Sequence, residues 1–214
     1  MTDSATTAVL DRWVREFAQL VAENRDDLTE LDAAIGDADH GANMDRGMQA
    51  AVAALDETKP QTPGALLTKV GMTLVSTVGG ASGPLYGTYF LRLGGALGET
   101  EPVTPEQMAK ALRAGLDGVV ARGKAEAGDK TMYDALAPAT DAVDTAVAAG
   151  RSLSEAFAEA LPAAEAGRDA TTAMLARKGR ASYLGERSAG HQDPGATSSR
   201  MLIQTAADAW AGLA

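Results

Sequence analysis

The chain has 214 residues, 29 acidic against 19 basic for a formal net charge of −10, 45% apolar residues and no cysteine. Such a composition belongs to a folded globular chain, without the basic face of a nucleic-acid binder and without a disulfide framework, thiolate metal site or cysteine nucleophile. The opening MTDSATTAVLDRW has no basic segment leading into an apolar one, and no apolar run reaches the roughly 20 residues of a membrane span, so a soluble, cytoplasmic protein is expected.

Alanine contributes 45 residues, whereas Val and Ile together contribute 14, with 3 Phe, 4 Tyr and 2 Trp. Alanine is the best helix former and strands favour β-branched and aromatic residues, so an all-α protein is expected. In chain order, residues 6–23 place Val9, Leu10, Trp13, Val14, Phe17, Leu20 and Val21 at spacings of three and four, an amphipathic helix. A second helix covers 43–57 with Met44, Met48, Val52 and Leu55. Thr62-Pro63 opens a third, carrying Leu66, Leu67, Val70, Leu74 and Val78. Residues 83–97 form a fourth, apolar along most of its length. Thr104-Pro105-Glu106-Gln107 starts a fifth that runs to about 121. A sixth spans 131–149, a seventh 155–177 with Pro162 as a kink point, and an eighth 197–213. No linker divides them, which makes residues 1–214 one eight-helix bundle.

Four glycine-rich stretches have no part in such a bundle. In Leu31–Asn43, three carboxylates (Asp32, Asp37 and Asp39) fall within eight residues. A continuous helix would point Asp37 about 140° away from Asp32, at roughly 100° per residue. Gly36 and Gly41 allow a turn that brings the three together, and converging carboxylates repel unless a hard cation sits between them. The alternative is a capping loop, since Asp and Asn favour helix starts. An EF-hand is excluded: counted from Asp37, its glycine position holds Ala42 and its bidentate glutamate position holds Met48. Mg²⁺ fits three aspartates better.

The second stretch, Gly79-Gly-Ala-Ser-Gly-Pro-Leu-Tyr-Gly-Thr88, precedes a helix and offers N–H groups to a phosphate, or else lines a close helix contact. It lacks the lysine of the G-x-x-x-x-G-K-[ST] loop. The third, Arg122–Met132, reads as a solvated cationic loop. The fourth, Gly179–Gly195, is seventeen residues without helical periodicity, and its Arg180 and Arg187 suit anions. His40 and His191 both fall in these stretches, with no Ser/His/Asp pattern around them.

Taken together and in this order, Asp32-x4-Asp37-Ala-Asp39-His-Gly-Ala-Asn43, Gly79-Gly-Ala-Ser-Gly-Pro-Leu-Tyr-Gly87, Gly128-Asp-Lys-Thr-Met-Tyr-Asp134 and the Gly179–Gly195 stretch resemble the nucleotide-binding L subunit of dihydroxyacetone kinase, of the phosphotransferase-system-dependent type. The resemblance implies a barrel-like arrangement of eight helices that holds ADP or ATP at one open end through two Mg²⁺ ions. It makes Asp32, Asp37 and Asp39 the metal ligands and lays His40, Gly41, Ala42 and Asn43 against the phosphates. Ala81, Ser82, Gly123, Met132, Arg180 and the turn Asp193-Pro194-Gly195 match further nucleotide contacts of the family. Ala38 stands where the family often has glycine.

The same resemblance implies partners: a K subunit that carries dihydroxyacetone covalently on a histidine, and a phosphotransferase-system M subunit as phosphoryl donor. The alternatives are free ATP as donor, a related kinase of another small ketone or sugar, and a non-catalytic helical nucleotide- or metal-binding module. No legible general base is needed, because phosphoryl transfer depends mainly on positioning and charge stabilisation.

Overall fold

Thr6, Thr62, Thr104 and Ser152 each adopt extended backbone and accept the N–H three residues on, so local side-chain chemistry starts four of the helices. Thr104 with Gln107, and Ser152 with Glu155, complete reciprocal capping boxes. The computed structural model describes residues 5–212. Among these, nine α-helices follow in order: α1 (Thr7–Glu23), α2 (Arg25–Ile35), α3 (His40–Thr58), α4 (Pro63–Thr77), α5 (Ser82–Leu97), α6 (Pro105–Gly123), α7 (Tyr133–Ala148), α8 (Leu153–Ala170) and α9 (Pro194–Ala211). Short 3₁₀ turns cover Thr171–Ala173 and Arg180–Ser188. The described residues contain no strand, only an isolated antiparallel bridge between Ala5 and Val103.

The all-α expectation holds. Helices α1 and α3 to α9 close a ring in which each packs on the next, α9 returning to α1 and α1 meeting α3. This is the eight-membered barrel, and α2 is an additional helix packed against α3, α9 and the second 3₁₀ segment. Residues 25–35 escaped the sequence reading because α2 buries only Leu28 and Ile35. Three boundaries also move, the first being the start of the second expected helix, which lies at His40 rather than 43. The seventh expected helix ends at Ala170 rather than 177, although α8 runs on past Pro162. The eighth begins at Pro194 rather than 197, with Asp193 as its cap, and the expected residue 213 lies outside the described residues. Gly41 is no turn: it sits inside α3, where an added Cβ would stand 2.0 Å from the Arg25 carbonyl of α2.

Small residues set the helix spacing. A Cβ at Gly71 of α4 would lie 2.7 Å from Gly87 O of α5, and one at Gly167 of α8 would lie 2.0 Å from Asp134 O of α7. Gly71 facing Gly87 and Gly64 facing Gly98 run in opposite chain order, so α4 and α5 are antiparallel, and short links make the other sequential neighbours antiparallel as well. The links 36–39, 78–81, 124–132 and 171–193 therefore gather at one end of the ring. The core holds an aromatic group in which Trp13 meets Trp210 edge-on at 5.9 Å and Phe157 stands 4.8 Å from Trp210. No helix among the described residues is long and apolar enough to cross a membrane.

Candidate functional site

Between α2 and α3 the chain turns through Gly36 to Asp39, with Ala38 in left-handed backbone at φ 61°. That conformation favours glycine, and alanine adopts it here at a cost in strain. The turn brings one carboxylate oxygen each from Asp32, Asp37 and Asp39 within 4.8 Å of one another. Asp32 Oδ2 also accepts the N–H groups of Asp39 (2.8 Å) and His40 (3.2 Å), thereby capping α3 from the preceding helix. Gly36 leaves room for this: a Cβ there would lie 2.0 Å from Asp32 Oδ1. The capping reading and the cation reading are thus both served by one motif.

The three aspartates open onto a cavity of about 330 Å³ at the gathered end of the ring. His40, Ala81, Ser82, Gly123, Met132, Arg180, Asp193, Pro194 and Gly195 line it as well. Gly41, Ala42 and Asn43 do not. Gly41 and Ala42 belong to the first turn of α3, whose N–H groups have no acceptor within the helix. Asn43 is buried behind the Gly79–Gly80 turn and accepts from Arg46 at 2.6 Å.

The ring geometry gives the cavity its electrostatics. The starts of α3, α5, α7 and α9 all border it, so their N–H groups and positive dipole ends suit an anion. Of these, only the start of α5 is read from the residues themselves as a helix start facing an anion; the resemblance alone marks residues at the other three. Gly80, at φ 65°, supplies the bend before it. Opposite the carboxylates, Leu85, Val119, Ala125 and Met132 form an apolar wall. Such a cavity takes a ligand with one flat apolar part and one polyanionic part. The wall escaped residue-by-residue reading, although Val119 lies one helical turn before Gly123 and was within reach of the 3.6-residue period.

Two further features were missed. Asp129 and Lys130 are buried whereas Arg122, Lys124 and Glu126 are exposed, so the solvated-loop reading of 122–132 holds for its first half and fails for its second. Arg180, on the fourth stretch, pairs with Asp37 at 2.9 Å and links the first and last motifs across the cavity mouth. His40 is buried, with Nδ1 3.0 Å from Ser82 Oγ and Nε2 2.9 Å from Ser198 Oγ, and Tyr86 extends this chain to Ser198 and Ser199. Burial pushes the imidazole down to about 4, so it is neutral at pH 7 and orients Ser82.

Burial raises the Asp193 carboxyl from 3.8 to about 7, opposed by its bond from Ala196 N–H and by the charge of Lys130. The folded chain therefore holds a proton that the unfolded chain releases, and this group's contribution to stability falls as pH rises from about 4 to 7. Asp193→Asn keeps a competent helix cap and removes that slope. The metal-free variant is expected to gain roughly 2–4 kcal/mol over the wild type on going from pH 4 to pH 8, read by urea unfolding. Parallel profiles for the two chains would refute the assignment.

The chain matches the family model described as the DAK2 domain over residues 34–208. It is 45% identical over 192 residues to the PEP-dependent dihydroxyacetone kinase, ADP-binding subunit DhaL, of Escherichia coli (strain K12), covering 90% of this chain and 91% of that one. It is 42% identical over 193 residues to the PTS-dependent dihydroxyacetone kinase, ADP-binding subunit DhaL, of Lactococcus lactis, covering 90% and 92%. The crystal structure of the native dihydroxyacetone kinase of C. freundii superposes with a TM-score of 0.71 at 26% identity, covering 97% of this chain and 35% of that kinase.

Proposed function

This chain belongs to the DAK2-domain family, and from that premise we propose that it is the nucleotide-binding subunit of a dihydroxyacetone kinase. The observation that carries the proposal is the cavity itself, with three aspartates converging within 4.8 Å on one side and an apolar wall on the other. Asp32, Asp37 and Asp39 hold two Mg²⁺ ions; the donor set fits, being all oxygen, and its mutual repulsion calls for a cation. The bound metal supplies charge neutralisation at the phosphate oxygens. The N–H groups of Gly41 and Ala42 at the start of α3, with Ala81 and the Ser82 hydroxyl at the start of α5, bind and orient the phosphates, while His40 holds Ser82 in place and Asn43 supports the Gly79–Gly80 turn from behind. Gly123, Met132 and the Asp193-Pro194-Gly195 start of α9 enclose the base, and Arg180 lies at the mouth as an anion contact.

The whole chain, 1–214, acts as one domain. Dihydroxyacetone sits covalently on a separate K subunit, which docks at the open end, and an M subunit of the phosphotransferase system rephosphorylates the nucleotide. The relatives named as PEP- and PTS-dependent ADP-binding subunits support this donor. The chain purified in Mg²⁺ is expected to carry ADP through dialysis, as chromatography of the denatured extract would reveal. Ready exchange would favour free ATP as donor. Reconstitution with a K subunit and a phosphorylated M subunit is expected to form dihydroxyacetone phosphate. No product with either donor would favour a non-catalytic binding module.

A further inference from the structure

We propose that Lys130 is a positioning residue that braces the base-side wall of the cavity through backbone carbonyls and does not itself grip the phosphates. The proposal rests on the nucleotide reading above. Lys130 borders the cavity yet is only 1% exposed, and its backbone is left-handed at φ 63°. Glycine or asparagine would take up that conformation with less strain, so the position gains from a lysine side chain.

An ammonium group has three N–H donors and no acceptor. Here each hydrogen has a carbonyl to meet: Thr171 O at 2.6 Å, Met174 O at 3.3 Å, and His191 O. Among the described residues Lys130 forms no ion pair, and the acidic group that acts on it through space is the buried Asp193. With its donors committed, Lys130 has none left for a phosphate, unlike the lysine of a G-x-x-x-x-G-K-[ST] loop.

The carbonyls belong to two separate segments, the turn that ends α8 and the residues just before α9. Thr171 continues the brace, its Oγ1 accepting the Asp193 N–H at 3.0 Å. Gly195 then stands against Met132, where an added Cβ would lie 3.5 Å from the Met132 nitrogen. One buried cation thus fixes the distance between the 130–132 segment and the start of α9, the two sides of the base pocket. The carboxylate cluster lies at the end of α2 and on another link, 36–39, and is untouched by these bonds.

The test compares full-length wild type, Lys130→Met and Thr171→Val by calorimetry in Mg²⁺ with ADP and, separately, with inorganic pyrophosphate, and follows amide exchange across 171–195. Lys130→Met is expected to weaken ADP by about tenfold or more while pyrophosphate changes less than about threefold, with faster exchange in 171–195. Thr171→Val, which leaves the lysine in place, is expected to weaken ADP by roughly three- to tenfold, and Thr171→Ser to restore it. Should Lys130→Met fail to fold, the Thr171 pair carries the test. Equal losses of ADP and pyrophosphate, or ADP affinity within about twofold of wild type in every variant, would overturn the brace. A wild type that binds no ADP would overturn the nucleotide reading and the brace with it, whereas a wild type that binds ADP isolates the brace.

Discussion

Asp37→Asn is expected to weaken Mg²⁺-dependent ADP binding at least about 100-fold, near 2.7 kcal/mol, while leaving the far-UV helical signal unchanged. Outer partners of metal sites already cost about 10- to 100-fold when removed, and a direct ligand sits closer to the charge. The fold has little stake in this carboxylate. Asp37 lies on the 36–39 turn, and the bond it makes is to the exposed guanidinium of Arg180. Asp32 offers the contrast: it accepts two N–H groups at the start of α3, so Asp32→Ala also removes a helix cap, at a cost of about 1 kcal/mol. Calorimetry separates the two, with Asp37→Asn changing affinity alone and Asp32→Ala changing affinity and the unfolding midpoint together. Unchanged ADP affinity in Asp37→Asn would remove that residue from the metal set.

Trp13→Ala is expected to destabilise the chain by about 3–5 kcal/mol, the range for deleting a large buried aromatic. The side chain is fully buried, packs against Phe90 at 6.1 Å and Trp210 at 5.9 Å, and donates its indole N–H to Leu202 O at 2.9 Å. It thereby joins α1 to α5 and α9, closing the ring between the first and last helices. An alanine-rich interior has few long side chains able to move into the space left behind. The urea midpoint should fall by about 1–2 M. A loss below about 1 kcal/mol would show that neighbouring helices collapse into the gap.

The helical scaffold was legible because seven of its eight ring helices carry apolar residues at three-and-four spacing or a cap signal at the start. The metal motif was legible because three aspartates flanking a glycine have few other uses. Helix α2 was not, since its eleven residues carry the charges of the motif beside them and bury only two apolar side chains. The end of α8 was overrun because Thr171 to Ala176 keeps the alanine-rich texture of the helix before it. Lys130 could not be found at all from one sequence. Its burial depends on carbonyls 41 to 61 residues away, whereas the residues around it, Gly-Asp-Lys-Thr, read as an ordinary turn.

The alternation of helix direction around the ring has a practical side. The bridge from Ala5 to Val103 sets the beginning of α1 beside the α5–α6 link, and Gly212 beyond α9 lies against Arg12 on the second turn of α1. Both described ends of the chain therefore emerge on the side away from the cavity. A tag, a surface tether or a second protein joined at either end would start from the end opposite the cavity and leave the mouth free to meet a docking subunit.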